Sequence, residues 1–272
     1  MLVSTTCLVF IVLGLTAMFI ETQRVFKAGT KQVSMTDSGR TVLDMVASDL
    51  AQVSDAQNAN FVNLFWSWSP TNTSVQIADG STVPFRTNQL QMIFMLVHTN
   101  LQWVGVGYAV SNAGGGAGTL YRYQLSTSDP LNSNAYVAII TNFTANASNG
   151  IFNPQYFHRV TDGVVHLKIR AYDQTGNEPL LEQQNDFNPY GDALSYPAPG
   201  YFYTLGSGQS NYVSSAALPA SVQLEVGVLE PDAYEQLRAL PHIANAQNNF
   251  MAKAGGKIQI YRQNIPIVGA IQ

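Results

Sequence analysis

Four histidines, His98, His158, His166 and His242, are the side chains best suited to move a proton or hold a metal near neutral pH. They show no metal-ligand spacing, and no His-Glu-x-x-His pattern occurs. His98 and His166 fall in stretches that read as strands, where a histidine is a surface residue or a satisfied core residue. Asp173, Glu178, Glu182, Asp186 and Asp192 offer carboxylate oxygens of the kind calcium takes. Their spacing follows no calcium loop, so calcium in the 173–192 loop is the one candidate metal, and no cofactor is expected. Gly-x-Ser-x-Gly, Walker and Cys-x-x-Cys patterns do not occur. The run Gly114-Gly115-Gly116-Ala117-Gly118 lacks a following Lys-Ser/Thr and a helix, so it reads as a flexible turn and no phosphate cradle. No residue is assigned a catalytic or cofactor-binding role, and the chain is not expected to be an enzyme.

Charge and cysteine content narrow the setting. The net charge is −4 and 11% of the 272 residues are charged, so no basic surface invites nucleic acid. Cys7 is the only cysteine and lies in an apolar block, so the rest of the chain has no disulfide to lean on.

That block is the strongest pattern in the chain. Residues 1–20 contain no formal charge, and as a helix they cover about 30 Å, the thickness of a bilayer's hydrocarbon core. A cleaved signal would carry a basic start and a small-residue cleavage site, and neither is evident here. A membrane-spanning helix is expected, with Leu2, Val3, Leu8, Val9, Ile11, Val12, Leu15, Met18 and Phe19 facing lipid or like helices. Gly14, Ser4, Thr5, Thr6 and Thr16 are small or hydroxylated residues that permit close helix packing. The helical pattern continues to about residue 57 as an amphipathic segment, with Val25, Phe26, Val33 and Met35 in the apolar set and no proline before Pro70. Val42, Leu43, Met45, Val46, Leu50 and Val53 are its candidates for packing onto a globular domain. Gly29 and Gly39 are points where the rod could bend.

Beyond the rod, 58–272 reads as one β-rich domain. Alternating apolar and polar residues predict strands at 62–68, 74–77, 89–99, 101–110, 119–125, 136–140, 164–172, 222–229 and 257–262. In the seventh, Val165, Leu167, Ile169 and Ala171 are assigned to one face, with His166, Lys168, Arg170 and Tyr172 on the other. Val222, Leu224, Val226 and Val228 share a face in the eighth. Helices are predicted at 231–240, opened by Pro231, and at 244–254, closed by Gly255-Gly256. Residues 174–215 read as a long loop. The fold class is therefore α+β: a long N-terminal helix followed by a mainly antiparallel sheet.

The opening run MLVSTTCLVFIVLGLTAMFIETQRVFKAG resembles the start of type IV pilin-like proteins, just past the prepilin peptidase site. The run SGRTVLDMVASDL from Ser38 resembles a stretch of the J-type minor pseudopilins of type II secretion, as do GVVHLKIRAYD from Gly163 and LPASVQLEV from Leu218. In that family the cleavage glycine and a glutamate precede the position of Met1, so prepilin-type processing and N-terminal methylation are placed on no residue of this chain. The resemblance implies a lollipop-shaped subunit, single-pass in the bacterial inner membrane, with a periplasmic domain. It implies extraction into a pseudopilus tip built from other pilin-like subunits, with the secretin or secreted cargo as further partners. Arg24, Lys27 and Lys31 would draw their flank to the cytoplasm under the positive-inside rule; the resemblance implies the opposite side. Two other readings stay open. One is a membrane-anchored binding or adhesion module using loop aromatics (Tyr190, Tyr196, Tyr201, Phe202, Tyr203); the other is an anchored hydrolase.

Overall fold

The opening residues form one uninterrupted helix, α1 (Leu2–Leu50). At 1.5 Å per residue it is about 70 Å long. The computed structural model describes residues 2–56, 61–77, 84–99, 101–112, 116–128, 131–176, 201–204, 210–214, 218–241 and 244–267. The helix stops earlier than the expected residue 57 because its last turn tightens: Gln52 N–H donates to Asp49 C=O (3.1 Å) and Val53 N–H to Leu50 C=O (3.2 Å). Val53 then bridges Val97, and Ser54 N–H donates to Leu96 C=O (3.0 Å), so the backbone enters the sheet. Residue 57 itself lies outside the described residues.

Among the described residues nine strands follow: β1 (Leu64–Ile77), β2 (Pro84–Thr99), β3 (Gln102–Asn112), β4 (Gly118–Ser128), β5 (Phe157–Tyr172), β6 (Tyr201–Thr204), β7 (Ser210–Ser214), β8 (Ser221–Leu229) and β9 (Ile258–Pro266). They form one sheet in the order β6-β7-β1-β2-β3-β4-β5-β8-β9, and every pairing between neighbours in that order is antiparallel. Three α-helices among the described residues interrupt them, α2 (Ser133–Asn149), α3 (Pro231–Ala239) and α4 (Ala244–Lys253), with a 3-10 turn at Gly255–Lys257. The α+β class and the antiparallel sheet are as expected.

Alternation along the strands divides the core into two sides. Leu64 and Trp66 of β1, Ile93, Met95 and Val97 of β2, and Val222, Leu224, Val226 and Val228 of β8 share a cluster with Val42, Leu43, Val46 and Leu50 of α1. Phe65, Phe94, Leu96 and Tyr123 point the other way and pack with Tyr136, Ile139, Ile140 and Phe143 of α2. Gly105 and Gly107 of β3 make room there, since a Cβ would lie 2.1 Å from Ile139 and 2.5 Å from Phe143. Val165 and Leu229 pack beneath α3 and α4, with Leu237 and Met251. The sheet also curls: β2 and β5, separated by two strands in the order, meet in parallel at Leu90 and Leu167. Gln89 N–H donates to His166 Nδ1 (3.0 Å), and Ile169 N–H donates to Gln91 Oε1 (2.7 Å), closing that seam.

Several expectations change. The 136–140 segment is helix, within α2. Asn132 caps it by accepting from Ala135 N–H, and Gly150 ends it in a left-handed conformation (φ 67°). The 62–68 and 74–77 segments are one strand with a register shift between Trp68 and Thr73. In β5 a bulge between Val164 and His166 resets the alternation. Val164 therefore joins Leu167, Ile169 and Ala171 against α1, while Val165 turns to α3 and α4. The 174–215 loop holds β6 and β7, which extend the sheet beyond β1.

Candidate functional site: a helix docked over half its length

The C-terminal half of α1 is fastened to the sheet by apolar contact. Val42, Val46 and Leu50 are fully buried, Leu43 and Val53 nearly so, and Met45 packs at the edge of the same cluster. Of the six named for this role, Val42, Leu43, Met45, Val46 and Leu50 lie on α1 beside that cluster, while Val53 lies past the helix end and bridges Val97. Each fully buried aliphatic side chain contributes about 1.5–3 kcal/mol relative to exposure. Gly39 is where the helix comes closest to β9: a Cβ there would sit 2.2 Å from the Tyr261 ring, so a larger residue would push the rod off the sheet. It serves close approach, and the helix runs through it without interruption.

Two polar fastenings add orientation. Asp49 receives a two-pronged bond from Arg122 of β4 (Nε to Oδ2 2.8 Å, Nη2 to Oδ1 3.0 Å), and Tyr108 of β3 donates its hydroxyl to the same Oδ2. Burial, then the Asp49 charge, pushes the Tyr108 phenol well above its ordinary value, so it stays a donor. The bond to Asp49 raises the Arg122 guanidinium further above its already high range. Lys31 sits between Glu230 (3.2 Å) and Asp232 (2.5 Å) at the start of α3, and those two bonds raise its pKa. The docked part thus runs from Lys31 to Leu50. Neither charged residue is among the packing positions that the sequence pattern singles out. The signal for Asp49 was present, because it stands three residues after Val46 and one before Leu50, on the buried arc.

Toward the N-terminus nothing among the described residues covers the helix. Val9, Ile11, Val12, Leu15, Met18 and Phe19 are all more than half exposed. Leu2, Val3 and Leu8 lie in α1 with side chains outside the described residues. Among the described residues one helix is long and apolar enough to cross a membrane, and its apolar stretch is not buried in the fold. Thr16 and Thr22 donate their hydroxyls to carbonyls four residues back, Val12 and Met18 (both 2.8 Å), which removes the polar cost of placing them against apolar neighbours.

The apolar surface does not stop where the charges begin. Val25, Phe26 and Val33 are 65%, 72% and 60% exposed. Met18, Glu21, Thr22, Val25 and Phe26 line one groove on the helix, and a second that shares Val25 and Phe26 runs past Gly29, Thr30 and Val33 to Ser34, Asp37 and Ser38. No atom lies within 4 Å of where a Gly29 Cβ would be, so the groove is open there.

Among the described residues the chemistry-bearing side chains do not converge. His98 is exposed and lies tilted against the Trp103 ring (4.7 Å between ring centres), and His158 is exposed on β5. His166 is buried between Gln89 N–H on Nδ1 and Glu225 Oε2, 3.4 Å from Nε2. Burial pushes its pKa down to about 4, against the pull of Glu225. Arg262 holds the other Glu225 oxygen at 3.0 Å. Among the described residues no group of three His, Cys, Asp or Glu side chains is placed to hold a metal. Asp173 turns back on Thr175, while Glu178, Glu182, Asp186 and Asp192 lie outside the described residues, as do His242, Tyr190 and Tyr196. Tyr201, Phe202 and Tyr203 belong to β6, not to a loop. Compared with protein families, curated proteins and solved structures, the chain matches none of them.

Proposed function

We propose that the chain is a structural subunit of a pilin-like filament, of the type II secretion or type IV pilus kind, and not an enzyme. The observation that carries this reading is the length of the bare apolar groove. A plain anchor needs apolar surface only across the bilayer, about 20 residues. Here the exposed stripe continues through Val25, Phe26 and Val33, past the charged residues Glu21, Arg24 and Lys27. A helix that leaves lipid needs other helices to replace the lost apolar contact, and small residues such as Gly29, Thr30 and Ser34 let backbones come close. In this mechanism residues 1–20 hold the subunit in the inner membrane with its domain in the periplasm. The stripe from Met18 to Ser38 then takes the helices of like subunits as the chain is drawn into the filament. The docked half, fastened at Lys31 and Asp49, makes rod and domain move as one piece. Contact with a secretin or with secreted cargo belongs to the same reading, at the domain end.

The test is cysteine crosslinking between full-length chains in membranes, using Val33→Cys in a Cys7→Ser background. The expected result is a disulfide-linked product, abolished by Val25→Glu with Phe26→Glu while membrane insertion persists. A chain that stays uncrosslinked and monomeric in the presence of its neighbouring prepilin-like subunits overturns the reading.

A further inference from the structure

β2 changes partners along its length. From Ile93 to Thr99 it is paired with β3, and that ladder stops at Ile93. Toward Pro84 it stays paired with β1 on one side and crosses to β5 on the other, where one parallel bridge joins Leu90 to Leu167. Two further bonds hold this seam, and each uses a side chain as the acceptor. His166 Nδ1 accepts from Gln89 N–H (3.0 Å), and Gln91 Oε1 accepts from Ile169 N–H (2.7 Å). A ladder of peptide bonds does not titrate near neutral pH; this seam contains one group that does. β1 has a break of its own beside it, since its register with β2 shifts between Trp68 and Thr73.

The acceptor role fixes the tautomer. Nδ1 turns its lone pair to Gln89, so the ring's proton sits on Nε2, 3.4 Å from Glu225 Oε2. A second proton can be added only at Nδ1, the atom that holds the seam. Imidazolium and seam bond therefore exclude each other. Among the described residues, four charged groups bear on the ring. Glu225 of β8 draws the imidazolium, and Arg262 of β9 holds the other Glu225 oxygen (3.0 Å). Arg86 of β2 and Lys168 of β5 oppose the charge. Arg86 belongs to the strand that the seam holds, so a parting of β2 from β5 also removes part of that opposition. The closed site is tightly filled: the ring is buried, and a Cβ on Gly227 would lie 2.7 Å from the His166 Cβ. Burial, the largest cause, holds the His166 pKa down to about 4 in this arrangement.

We propose that the β2–β5 seam is an acid-operated latch: a proton on His166 Nδ1 releases Gln89, and the outer arm (Thr73–Ile77 with Pro84–Gln91) parts from β5 while the rest of the sheet stays paired. The closed seam admits only the neutral ring, so the latch is shut above pH 6.5 and opens as pH falls toward 4. Glu225 then pairs with the imidazolium, which gives the open state a partner for its charge. The Gln91–Ile169 bond and the Leu90–Leu167 bridge are lost with the first bond, and two buried leucines come to the opening. Parting one seam takes less free energy than unfolding the domain, so it comes first as acid is added. The latch lies wholly within the domain and holds whether or not the chain enters a filament.

The experiment is amide hydrogen exchange in the full chain in detergent, from pH 7 to pH 4, with the intrinsic exchange rate at each pH divided out. Gln89 and Ile169 report the seam. Leu96, whose N–H donates to Asn63 C=O (2.8 Å), reports the part of the sheet that stays. Protection at Gln89 and Ile169 is expected to fall at least tenfold further than at Leu96. In His166→Gln, whose amide oxygen accepts a bond without titrating, protection at Gln89 is expected to keep one value over this range. An equal fall at all three amides overturns the latch, because the domain then opens as a whole. Protection at Gln89 that ignores pH in the wild type overturns it, as does a fall that survives in His166→Gln. The wild type alone gives a second reading, which stands even where the variant does not fold. The nitrogen NMR resonance of His166 Nδ1 is expected to titrate with the same midpoint as the loss of protection at Gln89, and distinct midpoints overturn the link between them.

Discussion

The two halves of α1 are built from similar residues and have opposite surroundings. Between Lys31 and Leu50 the apolar arc is covered by β8, β9 and β5, and its one buried acid is answered by Tyr108 and Arg122. Between Val9 and Thr30 side chains of the same kind are bare. Helix formation is therefore not what separates them, since backbone bonding continues from one half to the other. The difference is whether this chain supplies the cover. In the docked half it does; in the bare half no described residue does, and lipid or other chains are the cover proposed above. Substitutions should divide the same way: those in the docked half should change the stability of the domain, and those in the bare half should change only association and insertion.

The sharpest break is a charge in the docked arc. Leu50→Asp places an unpaired carboxylate in a fully buried position, and a loss of about 5 kcal/mol or more is expected. Denaturant unfolding of the full chain in detergent, followed by tryptophan fluorescence, measures it through Trp66 and Trp103 of the same sheet. Val12→Asp is the counterpart in the bare half. It should leave that unfolding midpoint unchanged while blocking membrane insertion.

Asp49→Ala comes next. It strips Arg122 and Tyr108 of the carboxylate that holds both, and Asp49 and Arg122 side chains are 12% and 22% exposed. Breaking a buried pair costs about 3–5 kcal/mol; partial exposure lowers the expected loss to about 2–3 kcal/mol. Tyr108→Phe alone should cost about 1 kcal/mol. A double-mutant cycle between Asp49→Ala and Arg122→Gln should show coupling of about 1–3 kcal/mol. Additive effects would mean that the pair does not orient the rod.

These fastenings also mark the limit of what the chain's pattern could reveal. The rod, the alternation of β8 and the two helices after Glu230 follow from local spacing, since Val222 to Val228 repeats every second residue and Pro231 opens α3. The α2 helix was misread because Tyr136-Val137-Ala138-Ile139-Ile140 is rich in β-formers. The spacing of Tyr136, Ile139, Ile140 and Phe143, with Asn132 before and Gly150 after, carried the helical signal. The β5 bulge between Val164 and His166, just after the left-handed Gly163 (φ 71°), shifts register by one residue, so strict alternation puts Val165 on the wrong face. Asp49, Tyr108 and Arg122 are brought together across 59 and 73 residues of chain, a distance that no local pattern spans. The bare stripe was legible as apolar residues. Its bareness was not, because exposure belongs to the whole fold.

Acid should weaken the domain and spare the bare half. His166 is neutral when folded, since Nδ1 accepts from Gln89 and the proton sits on Nε2 toward Glu225. Its folded pKa of about 4 lies below the unfolded value near 6.5, so the unfolded chain binds more protons between these limits. The contribution is complete above pH 6.5 and is lost as pH falls toward 4, by up to about 3 kcal/mol. His166→Gln should flatten that slope in unfolding measured from pH 7 to pH 4. An undiminished slope in the variant would mean that another group carries it. Glu21, Arg24 and Lys27 in the bare half are exposed, so insertion should change little over the same range.

The smallest effect on stability should come with the largest effect on assembly. Phe26 is 72% exposed and belongs to no core cluster, so Phe26→Ser should move domain stability by less than about 0.5 kcal/mol. A phenylalanine removed from a helix–helix contact, however, costs about 3 kcal/mol, which is more than a hundredfold in association. Sedimentation of the full chain in detergent, at concentrations spanning the wild-type midpoint, separates these quantities. Equal association of Phe26→Ser and wild type would put the stripe outside any helix contact, and the asymmetry of α1 would then reflect anchoring alone. Weaker association with an unchanged unfolding midpoint would show that the bare half owes its apolar residues to a partner chain, because this fold gives them nothing to bury against.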